Sequence, residues 1–227
     1  MRLLVLLAAF GACVDSTDPK WQLAHDRIVA IRTTPAAVGP GQAAQIDALV
    51  ASVSAAPAVM MPTTVTVVES APSLAGAVQM TSSGWTITSP DDPSQLRAEL
   101  GLADTDPLTV DIVATFQVDG VELGGTKSVR LDGEHANPAI GEVTIDGSPI
   151  ADGLFITKLD AHALAVDEPL EFGVHWLTSC GSLDSDDNEH AATLTVETGD
   201  ATSGTLAVVL RDELFGVGWE TWSISSR

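Results

Sequence analysis

A two-residue period constrains this chain more than any other feature. Phe172, Val174 and Trp176 alternate with Glu171, Gly173 and His175, so apolar and polar side chains fall on opposite faces of an extended segment. Ala192, Leu194 and Val196 alternate in the same way with Thr193, Thr195 and Glu197, and Leu206, Val208 and Leu210 repeat the pattern. Earlier runs at 27–32, 44–50, 63–68, 84–88 and 108–118 are rich in Val, Ile, Thr and Ala and are bounded by Gly, Pro, Asp or Ser. Such runs read as strands separated by turns, because a helix would scatter these apolar positions around its axis. Within 27–32, Ile28 and Ala30 are expected opposite Val29 and Ile31, and Val110, Ile112 and Ala114 share one face.

Turn chemistry divides the runs. Residues 34–41 carry Pro35, Gly39, Pro40 and Gly41, a proline-pinned crossing followed by a tight turn. Asp119-Gly120 predicts a two-residue hairpin, since that pair tolerates the positive φ it requires. Gly124-Gly125 predicts a bulge or bend in the returning strand. One helix is expected, at 93–102: it follows Asp91-Asp92, places Pro93 at its first position and ends near Gly101, with Leu96 and Leu100 on one face. Trp219 and Trp222 are an odd number of residues apart; a bulge at Glu220-Thr221 puts both indoles inside, and without one an indole is exposed.

Two groups of about seven short strands, each within roughly a hundred residues, are what antiparallel sandwiches need. The opening of the first group, from Ile31 to Val50, resembles bacterial immunoglobulin-like domains, where a Pro–Gly kink separates the first two strands. The second group is similar to polycystic-kidney-type Ig-like modules on the strength of Trp176, Gly181, Gly204, Leu206, Val208, Asp212, Gly216 and Gly218. It departs from them at Leu206, where Tyr is common, and in a turn lengthened by Glu213, Leu214 and Phe215. The resemblance implies an all-β protein with two tandem antiparallel Ig-like β-sandwiches, at 26–132 and 137–227. These motifs specify fold and core and carry no activity. The short linker between the modules predicts modest mobility.

The amino terminus points to export. Arg2 precedes an apolar run from Leu3 to Phe10, followed by Gly11, Ala12 and Cys13, the layout of a secretory signal. Phe10-Gly11-Ala12-Cys13 resembles a bacterial lipoprotein signal, with Phe10 where Leu is usual. That resemblance implies a signal peptide at 1–12, acylation of Cys13 and a polar tether at 13–25. It also implies a membrane partner reached through the lipid, and Val14 rather than Asp after the cysteine points to the outer membrane. An ordinary cleaved signal and a Cys13–Cys180 disulfide are the alternatives.

Charge narrows the partners. Thirty-one acidic residues against ten basic give a net charge of −21 over 227 residues. Nucleic acid and anionic lipid would be repelled by such a surface. A hydrophobic fraction of 45% excludes a disordered acidic tail, and two cysteines exclude a disulfide-stapled or multi-cysteine zinc scaffold.

Candidate chemistry is sparse. No G-x-S-x-G elbow, phosphate loop or H-E-x-x-H occurs. Asp184, Asp186 and Asn188 keep a one-three-five spacing of hard oxygen ligands suited to Ca²⁺, but Glu189 replaces the glycine of a helix–loop–helix calcium site and Thr195 its final carboxylate. They are the candidate metal residues, with a solvated acidic loop as the other reading, and no other cofactor is expected. Asp160 and His162, two apart, could join a distant Ser. His175 is expected to be solvated, and Cys180, with no flanking Lys or Arg, to be an unreactive thiol. The expected function is therefore non-enzymatic: an envelope lipoprotein presenting two modules for structural, adhesive or ligand-binding roles toward a protein or glycan. The alternatives are a calcium-stabilised adhesin module and a carbohydrate-processing or hydrolytic enzyme on a β scaffold.

Overall fold

The computed structural model describes residues 19–169, 171–184 and 189–227. Four sheets form two β-sandwiches. The first is built from β1 (Arg27–Thr34), β2 (Ala43–Ala51), β3 (Ala58–Met60), β4 (Thr64–Val67), β5 (Val78–Thr81), β6 (Gly84–Thr88), β7 (Thr109–Val118) and β8 (Val121–Arg130). One of its sheets runs β1-β2-β6-β5, with β3 also on β2, and the other runs β4-β7-β8. Ile46, Ile87, Ile112, Phe116 and Val129 fill the space between them, where the period-two pattern sends them.

The expected helix, α1 (Pro93–Leu100), closes this core. The Asp92 carboxylate caps it by accepting from the Ser94 N–H, Pro93 opens it, and Gly101 ends it at φ 69°, while Leu96 is buried in the core. The β7–β8 hairpin turns on Asp119 (φ 49°) and Gly120 (φ 85°), the primed turn the pair predicts. Gly124-Gly125 makes no bulge, since the β7–β8 register is unbroken. A side chain at Gly125 would instead meet Ile31 Cδ1 at 2.8 Å and Ile28 Cδ1 at 3.2 Å, so that glycine admits β1.

The second sandwich comprises β9 (Val143–Ile145), β10 (Ser148–Pro149), β11 (Leu154–Ile156), β12 (Ala161–Val166), β13 (Gly173–Thr178), β14 (Ser182–Asp184), β15 (Ala191–Thr195), β16 (Ser203–Arg211) and β17 (Val217–Ser226). Its sheets run β10-β9-β12-β15-β14 and β11-β17-β16-β13, antiparallel except for β11 beside β17. Val174, Trp176, Leu194, Val196, Leu206, Val208 and Trp222 form its core.

A third apolar cluster joins the two sandwiches. Val29, Ala30, Leu49 and Ala51 of the first sandwich meet Leu177, Ala207, Val209 and Val217 of the second, with Leu23 of the preceding segment in the cluster and Trp219 packed against it. Several sequence expectations change here. A bulge between Ile28 and Ala30 reverses parity within β1, so Ile28 and Ile31 face the first core and Val29 and Ala30 face the junction. β17 has no bulge at Glu220-Thr221. Trp222 enters the second core, and Trp219 on the opposite face is half-buried against the junction rather than left in solvent. His175, on that same face of β13, is also half-buried rather than solvated.

The linker is pinned. Ala37 and His135 exchange backbone hydrogen bonds, and Asn137 donates to the Thr33 carbonyl while its own oxygen accepts from the Val217 N–H. These bonds tie the segment expected to be mobile to both sandwiches. The last part of the expected tether is likewise docked: Gln22 pairs in parallel with Thr178, and Leu23 is buried at the junction. Among the described residues no helix is long and apolar enough to cross a membrane.

Candidate functional site

The junction leaves a cleft of about 740 Å³. Its walls are Asp26 with the start of β1 (Arg27 to Ile31), the outer strand β8 (Glu122 to Ser128) and the tip of the β16–β17 hairpin (Arg211 to Val217). β8 lies at the edge of its sheet and β1 at the edge of the facing one, so the cleft follows the seam between two sheet edges.

Its charged groups are turned onto the protein itself. Lys127 sits at a position of β8 whose neighbours of like parity, Leu123 and Val129, face apolar surroundings. Its ammonium donates to the Phe215 carbonyl, and the Phe215 ring centroid lies 5.8 Å away. Burial pushes this lysine down to about 8; the Asp212 carboxylate partly offsets that and Arg211 adds to it. Arg211 donates to the Val29 carbonyl at 3.2 Å, and Arg27 to the carbonyls of Lys20 and Gln22. Burial also lowers the Arg27 pKa.

Asp212 organises the hairpin tip. One carboxylate oxygen accepts from the Leu214 and Gly216 N–H groups, and the other lies 2.7 Å from His135 Nε2. The left-handed residue in this loop is Phe215 (φ 67°) and not a glycine. Gly216 and Gly218 are needed for space. A Cβ at Gly216 would strike the Asp212 carboxylate and Pro138, and one at Gly218 would strike the Pro138 carbonyl oxygen at 2.2 Å. At the mouth, Asp26 accepts from the Val53 N–H and Glu122 from the Gln117 amide. With these groups engaged, the cleft offers shape, apolar side chains and a strand edge.

The residues singled out by sequence lie elsewhere. Asp184 is exposed at the end of β14, opposite Thr193; Asp186 and Asn188 lie outside the described residues, as does Cys13. Among the described residues, no group of three or more His, Cys, Asp or Glu side chains is arranged to hold a metal ion. His162 pairs with Asp146 rather than Asp160, through Nδ1 at 2.7 Å, while Nε2 donates to the Thr157 carbonyl at 3.0 Å. Burial opposes the charged ring, but these two bonds and the charges of Asp146 and Asp160 outweigh it, so His162 titrates above its ordinary value. Both ring nitrogens thus face acceptors of the protein itself, and neither is turned toward a nucleophile. Cys180 is a buried thiol whose Sγ lies 3.0 Å from the Ala201 carbonyl; burial raises its pKa.

Sequence reasoning missed the cleft. Two signals were available: a lysine on the inward parity of β8, and the unbroken apolar run Leu206–Leu210, which marks a strand covered on both faces.

No protein-family model matches the chain, and no curated protein matches it either. Among solved structures it is similar to protocadherin gamma B2 extracellular cadherin domains 3–6 (13% identity, 87% of this chain and 52% of that one, TM-score 0.26). It is similar to the Yersinia pseudotuberculosis adhesin InvE (13% identity, 86% and 58%, TM-score 0.23). It is also similar to an endo-fucoidan hydrolase of glycoside hydrolase family 107 (13% identity, 85% and 28%, TM-score 0.25). The chain thus spans about a quarter to three fifths of the length of these structures. The all-β, two-sandwich fold rests on the strand ladders and cores described above.

Proposed function

We propose that this chain is an exported, lipid-anchored envelope protein that binds a partner and carries out no catalysis of its own. The observation that carries this reading is the junction. A shared apolar cluster and a pinned linker hold two sandwiches as one body, and such a scaffold presents a cleft and end loops in fixed positions. The charged groups lining that cleft are engaged with backbone or with the neighbouring side chains Gln117 and His135, which suits recognition by shape better than acid–base chemistry.

The anchor rests on Arg2, the apolar run to Phe10 and Cys13. Because the chain is docked from Trp21 onward, only residues 13–18 and the start of the described chain would separate an acylated Cys13 from the body. The eight residues 13–20 can span at most about 27 Å, so the sandwiches would stand close to the bilayer. Metabolic labelling with a palmitate analogue, followed by membrane fractionation of wild type and Cys13→Ser, tests this. Label and membrane association should both disappear in the variant; retention of membrane association would overturn the anchor.

A further inference from the structure

We propose that the outer edge of β8 is a strand-addition site that takes an extended, lysine- or arginine-bearing peptide segment of a partner protein. This rests on the binding role above and names its site and the chemistry of its ligand.

Hydrogen-bonding parity identifies the edge. Val118 and Val121 close the two-residue hairpin as a hydrogen-bonded pair, so the peptide groups of Val121, Leu123, Gly125 and Lys127 point to β7. Those of Glu122, Gly124, Thr126 and Ser128 point the other way, into the cleft. The chain itself confirms the parity further along. The outward carbonyl of Arg130 accepts from the Val38 N–H, and Ala37 bridges Arg130 in parallel. Over its last residue this edge therefore already carries an added segment. From Glu122 to Ser128, no strand among the described residues pairs with it.

The approach is open. Glu122, Gly124 and Thr126 are exposed, and the cleft beside them has the volume of a ligand pocket. Main-chain bonds along such an edge supply affinity, and the apolar wall of Ile28, Leu123 and Val217 receives alternate side chains. Charge selects the occupant through the field of the whole body, since within the cleft Asp26, Glu122 and Asp212 balance Arg27, Lys127 and Arg211. A body of net charge −21 attracts a cationic segment, whereas a second copy of this chain brings the same −21 and is repelled.

The test uses the full chain and two synthetic nonapeptide pools. Both carry Val, Ile or Ala at alternate positions. Lys, Arg and Thr fill the remaining positions in one pool, and Asp, Glu and Thr in the other. Amide hydrogen exchange read by NMR should show Glu122, Gly124, Thr126 and Ser128 exchanging freely in the protein alone and slowed by the cationic pool. The acidic pool should bind about tenfold more weakly at low salt. Gly124→Pro removes one outward N–H without touching the β7 ladder and should weaken the cationic pool about tenfold, with an unchanged near-ultraviolet dichroism spectrum. If that variant misfolds, the wild-type exchange pattern decides. Slow exchange of these four amides in the free protein, protection elsewhere than β8, or equal binding of both pools would overturn the proposal. A concentration-dependent dimer that protects β8 would overturn it in favour of self-pairing. None of these results touches the Cys13→Ser fractionation, so the anchored reading stands or falls separately.

Discussion

The Arg32 guanidinium lies 3.8 Å from the centroid of the Trp219 indole, and the two belong to different sandwiches. Asp47 holds the guanidinium along its edge through two hydrogen bonds, of 3.0 and 2.8 Å. The pair forms the rim of the junction, over a floor made of Val209, Ala207 and Leu49. A stacked, half-desolvated cation of this kind contributes about 1 kcal/mol. The apolar floor contributes more, because it removes whole side chains from water.

The two sandwiches should therefore unfold together. Calorimetry of the wild type should show one transition. Val209→Asp places an unpaired carboxylate in the junction and leaves both sandwich cores intact. It should split the transition into two, whereas Trp219→Ala should lower stability by about 1–3 kcal/mol. A single transition in Val209→Asp would mean that the sandwiches are coupled elsewhere.

Lys127 makes stability rise with alkaline pH. Its folded pKa, near 8, lies below the ordinary 10.5, so between these values the unfolded chain binds more protons than the folded one. The slope of unfolding free energy with pH is then positive. The cost of burying the charge is fully present below pH 8 and is relieved by about pH 10.5. Urea unfolding of wild type and Lys127→Met at pH 7 and pH 10 should show wild type gaining on the variant by roughly 1–3 kcal/mol at the higher pH. No gain would mean that the ammonium is solvated.

Asp132 works in the opposite pH range. Burial raises its pKa, but the Leu108 N–H, Arg130 and Arg97 outweigh this and hold the carboxyl below its ordinary value. Its contribution is present above about pH 4 and is lost as pH falls through the lowered folded value. Asp132→Asn should cost roughly 2 kcal/mol at pH 7. The difference from wild type should shrink as pH falls from about 4 through that lowered value, which acid titration of the two proteins would show.

Gly218→Ala should loosen the linker. The new methyl would lie 2.2 Å from the Pro138 carbonyl oxygen, a backbone atom that moves only with its segment. A loss of about 1–3 kcal/mol is expected. Faster amide exchange at Gly216 and Val217, whose N–H groups bond Asp212 and Asn137, should accompany it.

Trp176→Ala probes the second core. The indole is 3% exposed, and its Nε1 donates to the Glu189 carbonyl at 3.0 Å. Its removal should cost about 3–5 kcal/mol in chemical denaturation. A loss under about 1 kcal/mol would contradict the β13 register.

Local rules were readable from the residues. Asp92, Pro93 and Gly101 bounded the helix, Asp119-Gly120 made the hairpin, and period-two alternation sent Val110, Ile112, Val174 and Trp176 inward. Each of these depends on neighbours within a few positions along the chain. What lay beyond the sequence depended on a second surface. Trp219 is outward by the pattern of its own sandwich, Val29 and Ala30 are turned outward together only by the bulge in β1, and all three become covered because the other sandwich lies against them. Gly125 read as a bend and serves as room for Ile31. Lys127 could be placed on an inward face, but its partner, the Phe215 carbonyl, is 88 residues away. The sequence by itself thus determined the strands, the turns and which face of each strand sheds water, since these follow from backbone stereochemistry and side-chain period. Only the tertiary structure decided which outward faces meet and where an edge stays open, because that depends on contacts between segments that no local pattern relates.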